Sequence, residues 1–152
     1  MIKRAAGRDN VELMGAIFTA IERRDARRFN ELVHPDFEIH WPSSLPYGGS
    51  YRDLEVDARQ GRPTWAETWD PLQPTAAERR MDPRIVAADD DSGEVVVLWW
   101  QRGRSPSGER FDCPVLGLYQ VRDGRLAQAR MFYFDTVALA SFLRTGGLLG
   151  SG

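Results

Sequence analysis

The fold of this chain is decided by residues 94–134, which read EVVVLWWQRGRSPSGERFDCPVLGLYQVRDGRLAQARMFYF. β-Branched and aromatic residues dominate 94–102, 110–121 and 126–134, as is typical of strands. Asp123-Gly124 is a strong signal for a tight hairpin between the last two strands. Strands joined in order by hairpins form an antiparallel sheet, so this stretch predicts the main sheet of the protein.

Two helices are predicted near the start of the chain. Asp9 and Glu12 have the spacing of a capping box. Apolar residues then recur at steps of three and four, namely Val11, Met14, Ile17, Phe18 and Ile21. Asp25 is placed to cap a second, shorter helix that ends before His34.

From Phe37 onward the period changes to two. Phe37, Ile39 and Trp41 fall on one side of a predicted strand, and Glu38 and His40 fall on the other. Between the end of this strand and the next predicted strand, which begins at residue 77, the pattern is mixed.

That mixed region predicts turns and short helices. Residues 42–49 are rich in turn formers, and Ser50 is predicted to begin a helix. Pro63 is predicted to open a further helical piece, in which Trp65 and Trp69 share one face because they are four residues apart.

One more strand is predicted over 77–88, and Asp135 is placed to cap a closing helix over 137–143. The order of elements is helices, one strand, a broken helix, a run of antiparallel strands and a last helix. The sequence therefore predicts the α+β class, with helices covering one face of an antiparallel sheet.

Length and charge restrict the classes of function. With 152 residues, a single domain over 10–145 is expected, and 1–9 and 146–152 are expected to be tails. The formal net charge is -2 and no long block of one sign occurs, so nucleic acid is not expected as a partner. Without an apolar stretch long enough for a bilayer or for a signal core, no membrane association and a cytoplasmic location are expected.

Metal and nucleophile chemistry have little support in the sequence. Cys113 is the only cysteine, and His34 and His40 are the only histidines, too few for a thiolate or multi-histidine site. The acidic run at 89–93 lacks calcium-loop spacing and predicts a hairpin turn. We therefore expect no metal and no cofactor.

Several local motifs carry a resemblance to a known family. In chain order they are Glu38-Ile39-His40-Trp41-Pro42, Leu45-Pro46-Tyr47-Gly48-Gly49-Ser50-Tyr51-Arg52, Phe111-Asp112-Cys113-Pro114, Val121-Arg122-Asp123-Gly124-Arg125-Leu126 and Phe134-Asp135-Thr136. Together they resemble the nuclear transport factor 2-like superfamily, and within it the SnoaL-like and ketosteroid isomerase-like proteins. The resemblance implies a curved sheet wrapped on three helices, a cone-shaped barrel with an apolar internal pocket for a small organic molecule, and commonly a dimer.

The resemblance also assigns positions. Trp41 falls where a ketosteroid isomerase carries its proton-abstracting carboxylate, Gly117 where it carries a protonated oxyanion-hole Asp, and Ile17 where it carries a Tyr. An indole cannot remove a proton from carbon, so this chain is not expected to be a ketosteroid isomerase.

Asp135 and His40 are the candidate catalytic residues. Period two places Asp135 on the inward face of the last strand, where aromatic surroundings would raise its pKa. Asp135 also directly precedes the closing helix, so the alternative is that its carboxylate only caps that helix. Imidazole is suited to proton transfer near neutrality, although strict alternation points His40 away from the face of Trp41.

An aromatic set is predicted to line the pocket: Trp41, Tyr47, Tyr51, Trp65, Trp69, Trp100, Tyr119 and Tyr133, with Met131 beside them. Because Trp99 and Trp100 are adjacent, one must face out. We expect Trp100 inside and Trp99 on the outer face, where an apolar patch suits a homodimer. Arg102 and Arg130 are expected to face solvent, or else to hold an anionic group.

Three functions remain open from the sequence. The first is a cofactor-independent general acid–base enzyme of the isomerase, cyclase, dehydratase or epoxide hydrolase class, acting on a hydrophobic or polycyclic substrate. The second is a non-catalytic binding or carrier protein with the same apolar pocket. The third is a structural dimerisation module whose pocket is filled by its own side chains.

Overall fold

A computed structural model of the chain describes residues 2–52 and 61–145, with side chains described from residue 9 onward. The helices are α1 (Ile2–Glu22), α2 (Ala26–Leu32), α3 (Trp65–Trp69), α4 (Ala76–Arg79) and α5 (Thr136–Thr145), and a short 3-10 turn covers Asp70–Leu72. The strands are β1 (Val33–Trp41), β2 (Gly49–Tyr51), β3 (Arg84–Asp89), β4 (Glu94–Arg104), β5 (Arg110–Arg122) and β6 (Arg125–Tyr133).

The strands form one six-stranded sheet in the order β2-β1-β6-β5-β4-β3. Hairpins connect β3 to β4, β4 to β5 and β5 to β6, all antiparallel. The predicted tight hairpin is confirmed, because Asp123 and Gly124 adopt φ of 55° and 72°, as a turn between twisted strands requires. The α+β class predicted from the sequence is therefore confirmed.

Two features of the sheet differ from the expectation. β1 pairs with β6 in parallel, because the chain crosses over between them instead of turning through a hairpin. The sheet is curved, and among the described strands β2 and β3 are its two edges and do not pair with each other, so the sheet does not close into a barrel.

The first helix begins earlier than predicted. α1 starts at Ile2, so Asp9 lies inside the helix and does not cap it. Its apolar stripe is otherwise as expected, since Met14, Ile17 and Phe18 are buried against the sheet, although Val11 is 37% exposed. α2 begins as predicted, because the Asp25 carboxylate accepts a hydrogen bond from the Arg28 amide at 3.0 Å.

Two predicted elements are wrong in type or extent. Ser50 lies in strand β2 and does not begin a helix, and Asp53 lies outside the described residues. The strand predicted over 77–88 is divided into α4 and β3, because Asp82 adopts a φ of 47° that interrupts extended backbone.

The core lies between the helices and the concave face of the sheet, which we call the inner face. Strands β4, β5 and β6 contribute alternate buried residues to it, among them Val95, Val97, Val115, Tyr119 and Met131. Helix α5 closes one end with Leu139, Phe142 and Leu143. No helix among the described residues is both long enough and apolar enough to cross a membrane.

Candidate functional site

A cavity of about 500 Å³ lies between the inner face and helices α1, α2 and α3. Its wall is mostly apolar and aromatic, and includes Ile17, Phe18, Phe37, Trp41, Trp99, Tyr119, Ala129 and Met131. The lining residues Asp25, Ala26, Asn30 and Asp70 are exposed and therefore mark its mouth. This is the size and character of a site for one small organic molecule.

Six of the nine predicted binding residues line this cavity: Trp41, Tyr47, Tyr51, Trp65, Tyr119 and Met131. The alternation read from the sequence placed Trp41 on the inner face, and β1 has that phase. Tyr119 and Met131 come from the neighbouring strands β5 and β6, and the Tyr119 hydroxyl donates to the Met131 sulfur at 3.7 Å.

The expected orientation of the tryptophan pair is wrong. Trp99 is 1% exposed and lines the cavity, whereas Trp100 lies on the opposite, outer face of the sheet. Arg102 shares that outer face, with its guanidinium 5.9 Å from the Trp100 ring. It is paired with Asp82 at 3.0 Å, so it holds no group inside the cavity. Arg130 is exposed on the outer face, as predicted.

Trp69 and Tyr133 are buried beside the cavity without lining it. The Trp69 indole donates to the Tyr47 hydroxyl at 3.2 Å, and the Tyr47 and Tyr133 hydroxyls are 2.9 Å apart. Burial raises the pKa of Tyr47 and of Tyr133 well above the usual tyrosine value. These phenols are therefore neutral hydrogen-bonding groups near pH 7.

The loop before β2 fixes the position of Tyr47. The Gly48 amide donates to the Leu45 carbonyl at 2.9 Å, closing a tight turn. A Cβ at residue 48 would lie 2.1 Å from the Pro42 carbonyl oxygen, so only glycine fits there. The Tyr51 hydroxyl donates to the Gly48 carbonyl at 2.7 Å, which ties the loop to the strand. This explains the motif at 45–52 physically.

Charged residues occur at the mouth and were missed from the sequence. The Arg24 Nε donates to the Asp70 carboxylate at 2.6 Å, and the Arg24 guanidinium lies 5.0 Å from the Trp65 ring. The Trp65 indole donates to the buried Gln101 side chain at 2.7 Å. These contacts with Arg24 and Gln101 hold Trp65 in one orientation at the mouth of the cavity. No signal in the sequence links Arg24 to Asp70, which is forty-six residues away.

The expected inward orientation of Asp135 is wrong. Its carboxylate is exposed and accepts a hydrogen bond from the Ala138 amide at 2.9 Å, so it caps α5. Period two ends with Tyr133, because β6 stops there and the chain turns into the helix. Asp135 does not line the cavity.

His40 also lies outside the cavity. It points to the outer face, where Nδ1 is 2.7 Å from the Ser50 hydroxyl and Nε2 is 2.8 Å from the Glu38 carboxylate. The Gln128 amide nitrogen is 3.3 Å from the same Nε2. Both ring nitrogens are therefore engaged by the surface of the protein, on the side of the sheet that strict alternation predicts.

The three positions assigned by resemblance lie at or near the cavity. Trp41 and Ile17 line it. At Gly117 an added Cβ would lie 2.3 Å from the Tyr119 hydroxyl, so the glycine makes room for the Tyr119 ring. Among the described residues, no group of three or more His, Cys, Asp or Glu side chains is arranged to hold a metal ion.

The curved sheet, the covering helices and the internal cavity define the class of cone-shaped α+β proteins typified by nuclear transport factor 2. A family model of the SnoaL-like domain matches residues 15–129. The chain therefore belongs to the SnoaL-like domain family. No curated protein matches it.

Solved structures of this class share the fold. Bal32a, from a soil-derived mobile gene cassette, is 18% identical, with 91% of this chain and 99% of that chain covered and a TM-score of 0.69. An NTF2-like protein from Burkholderia xenovorans LB400 is 23% identical, with coverage of 89% and 95% and a TM-score of 0.61. A provisionally assigned SnoaL-like polyketide cyclase from Jannaschia sp. CCS1 is 19% identical, with coverage of 88% and 90% and a TM-score of 0.61.

Proposed function

We propose that this protein binds a small, flat, predominantly apolar molecule in the cavity behind Trp65. The observation that carries the proposal is a mostly apolar and aromatic space of about 500 Å³, whose charged lining residues lie at or near its mouth. Burial of a flat ring system against Trp41, Trp99 and Tyr119 would remove apolar surface from water on both partners.

The cavity also argues against a purely structural module. Such a module would fill the same space with its own side chains, because unfilled volume inside a protein costs stability. A retained cavity with ordered aromatic walls is what a binding protein requires.

Titration with fluorene, a planar tricyclic hydrocarbon, tests the proposal directly. Because Trp41, Trp65 and Trp99 line the cavity, binding should quench the tryptophan emission. Ala129→Phe adds a ring to the cavity wall and should abolish the quenching. The matched control is Ala138→Phe, which makes the same change at an exposed position on α5. Equal quenching in both variants would contradict binding in this cavity.

A second candidate function is cofactor-independent acid–base chemistry on the bound molecule. It is favoured by neutral phenols at Tyr47 and Tyr119, which can donate to a substrate oxygen, and by the carboxylates of Asp25 and Asp70 at the mouth. Such chemistry is compatible with the isomerase, cyclase, dehydratase or epoxide hydrolase classes. Asp135 and His40 both lie outside the cavity, so this acid–base chemistry is not assigned to them.

A metabolite library scored first by tryptophan quenching and then by mass spectrometry separates the two functions. An enzyme converts a bound compound into product, and Asp70→Asn should slow that conversion more than it weakens binding. Asp135→Asn is the control and should leave conversion unchanged. Binding without product for every compound would support the carrier function, and conversion lost in Asp135→Asn would overturn the role proposed for the mouth.

A further inference from the structure

The cavity wall contains two polar hydrogens without an adequate acceptor. The Trp99 indole Nε1 is buried and makes no hydrogen bond with any described residue. Among the residues that the structure describes, the Tyr119 hydroxyl, 3% exposed, donates only to the Met131 thioether, a weak acceptor. Buried donors in folded proteins are almost always paired with oxygen or nitrogen, so two such groups on one wall require an explanation.

These two groups are neighbours. Trp99 on β4 and Tyr119 on β5 are inner-face residues of adjacent antiparallel strands, separated in the ladder by the Val97–Gly117 pair. The Tyr119 ring lies back over Gly117, which brings its hydroxyl toward Trp99. Both line the cavity. The Trp99 indole is close enough to the Tyr119 hydroxyl to lower its pKa, against the larger rise caused by burial, but the two do not satisfy hydrogen-bond geometry.

The packing keeps both groups in place. Phe18 packs against both rings, with centroid distances of 6.2 Å to Trp99 and 6.0 Å to Tyr119. On the other side, the Tyr119 ring occupies the space that a side chain at Gly117 would take. Neither ring can therefore turn away without repacking the core, whereas the Tyr119 hydroxyl hydrogen is free to rotate from Met131 toward a ligand in the cavity.

We infer that Trp99 Nε1–H and Tyr119 Oη–H together bind an acceptor oxygen of the ligand, such as a ketone or quinone carbonyl. The inference rests on the proposed binding function and adds a chemical class to it: the molecule is flat and apolar and carries at least one carbonyl-type oxygen at its inner end. Breaking the hydrogen bond from the Tyr119 hydroxyl to the Met131 thioether costs little free energy, because sulfur is a weaker acceptor than a carbonyl oxygen.

Two probes of nearly identical shape test this inference. Fluorenone has the tricyclic skeleton of fluorene and one added carbonyl oxygen. We expect calorimetric titration to give about tenfold tighter binding of fluorenone than of fluorene, as two modest hydrogen bonds would produce. The infrared carbonyl stretch of bound fluorenone should move to lower wavenumber than that of free fluorenone in an apolar solvent.

Tyr119→Phe and Trp99→Phe each remove one donor and retain an aromatic ring. Each should lower the fluorenone affinity more than the fluorene affinity, so that the ratio of the two affinities falls toward one, and each should reverse part of the infrared shift. Tyr133→Phe is the matched control, since it removes a buried hydroxyl that does not line the cavity. Circular dichroism identifies any variant that fails to fold; the other variant and the carbonyl stretch of fluorenone bound to the native protein then still test the inference.

The outcomes are distinct. Equal affinities for the two probes, or an unshifted carbonyl stretch in the native protein, would overturn the inference and leave the cavity as a binding site. Failure of both probes to bind would overturn the proposed function together with the inference. A fluorenone preference that survives both variants would show that the oxygen is bound elsewhere.

Discussion

The two faces of the sheet have similar sequence patterns and different roles. On the inner face, Trp99, Tyr119 and Met131 surround a cavity covered by helices. On the outer face Leu116 and Phe132, which are cross-strand partners, remain 43% and 53% exposed. When both faces of a strand carry apolar residues, the alternation of apolar and polar residues disappears and cannot show which residues face inward. Hydrophobicity alone therefore cannot identify the face that encloses the site.

The largest expected effect separates Trp99 from Trp100. Trp99→Ala should destabilise the fold by about 3–5 kcal/mol, because it removes a fully buried ring. Trp100→Ala should cost only about 1 kcal/mol, since half-exposed rings lose less contact on truncation. Urea denaturation followed by circular dichroism measures both. Equal losses would mean that the two faces are not energetically distinct.

The sequence contains a signal for the orientation of the tryptophan pair. Residues 95–100 are all apolar, so alternation within them has no polar reference. Arg102 stands two residues after Trp100 and must share its face. If Arg102 faces solvent, Trp100 must lie on the outer face as well. Trp99, one residue earlier, then lies on the inner face and contributes to the cavity wall.

The parts predicted correctly depend on local signals. The β5–β6 turn at Asp123-Gly124, the Asp25 cap and the alternation of β1 are all specified within a few neighbouring residues. The mouth could not be predicted in this way. It depends on a contact between Arg24 and Asp70, which only the complete fold brings together. The error at Asp135 arose where period two was extended past the end of β6, and the strand predicted over 77–88 starts too early because 76–79 form a helix.

The second prediction concerns ionisation on the inner face. Burial raises the pKa of Tyr119, as it does for Tyr47 and Tyr133, so the folded protein keeps protons that the unfolded chain loses above pH about 10. The unfolded state then binds fewer protons than the folded state. Stability should therefore be insensitive to these groups below pH about 10 and fall above it, by about 1.4 kcal/mol per pH unit for each phenol.

Tyr119→Phe removes one of these three groups. The decline in the free energy of unfolding between pH 10 and pH 11 should become shallower by about one third of the tyrosine contribution. Urea denaturation at several pH values gives the slope. An identical slope in the variant would indicate that the inner face already admits water to Tyr119.

The third prediction concerns the end of β6, where the inner-face alternation stops. Asp135→Ala should lower the free energy of unfolding by about 1 kcal/mol, because the Ala138 amide loses its acceptor. Asp135→Asn should retain most of the stability, since an amide oxygen also caps helices. Fluorene binding should be unchanged in both. A loss of binding without a loss of stability would return Asp135 to the site.

The smallest effect on folding is expected at the outer face. We propose that a second copy of this chain covers it, because two adjacent apolar rows cross the sheet, Leu98-Leu116-Phe132 and Trp100-Pro114-Phe134, and three of their members, Leu116, Phe132 and Phe134, are 43%, 53% and 82% exposed. Phe132→Lys should change the stability of a single chain by no more than about 0.5 kcal/mol. In a dimer, however, it would place two buried ammonium groups in an apolar interface. Light scattering should therefore give twice 17.2 kDa for the native protein and 17.2 kDa for the variant.

Val86→Lys, at a 52% exposed position on the edge strand β3, is the matched control and should remain dimeric. A native protein that is monomeric at high concentration would mean that the outer face tolerates its exposed apolar rows, and that only the inner face is adapted to bind a partner.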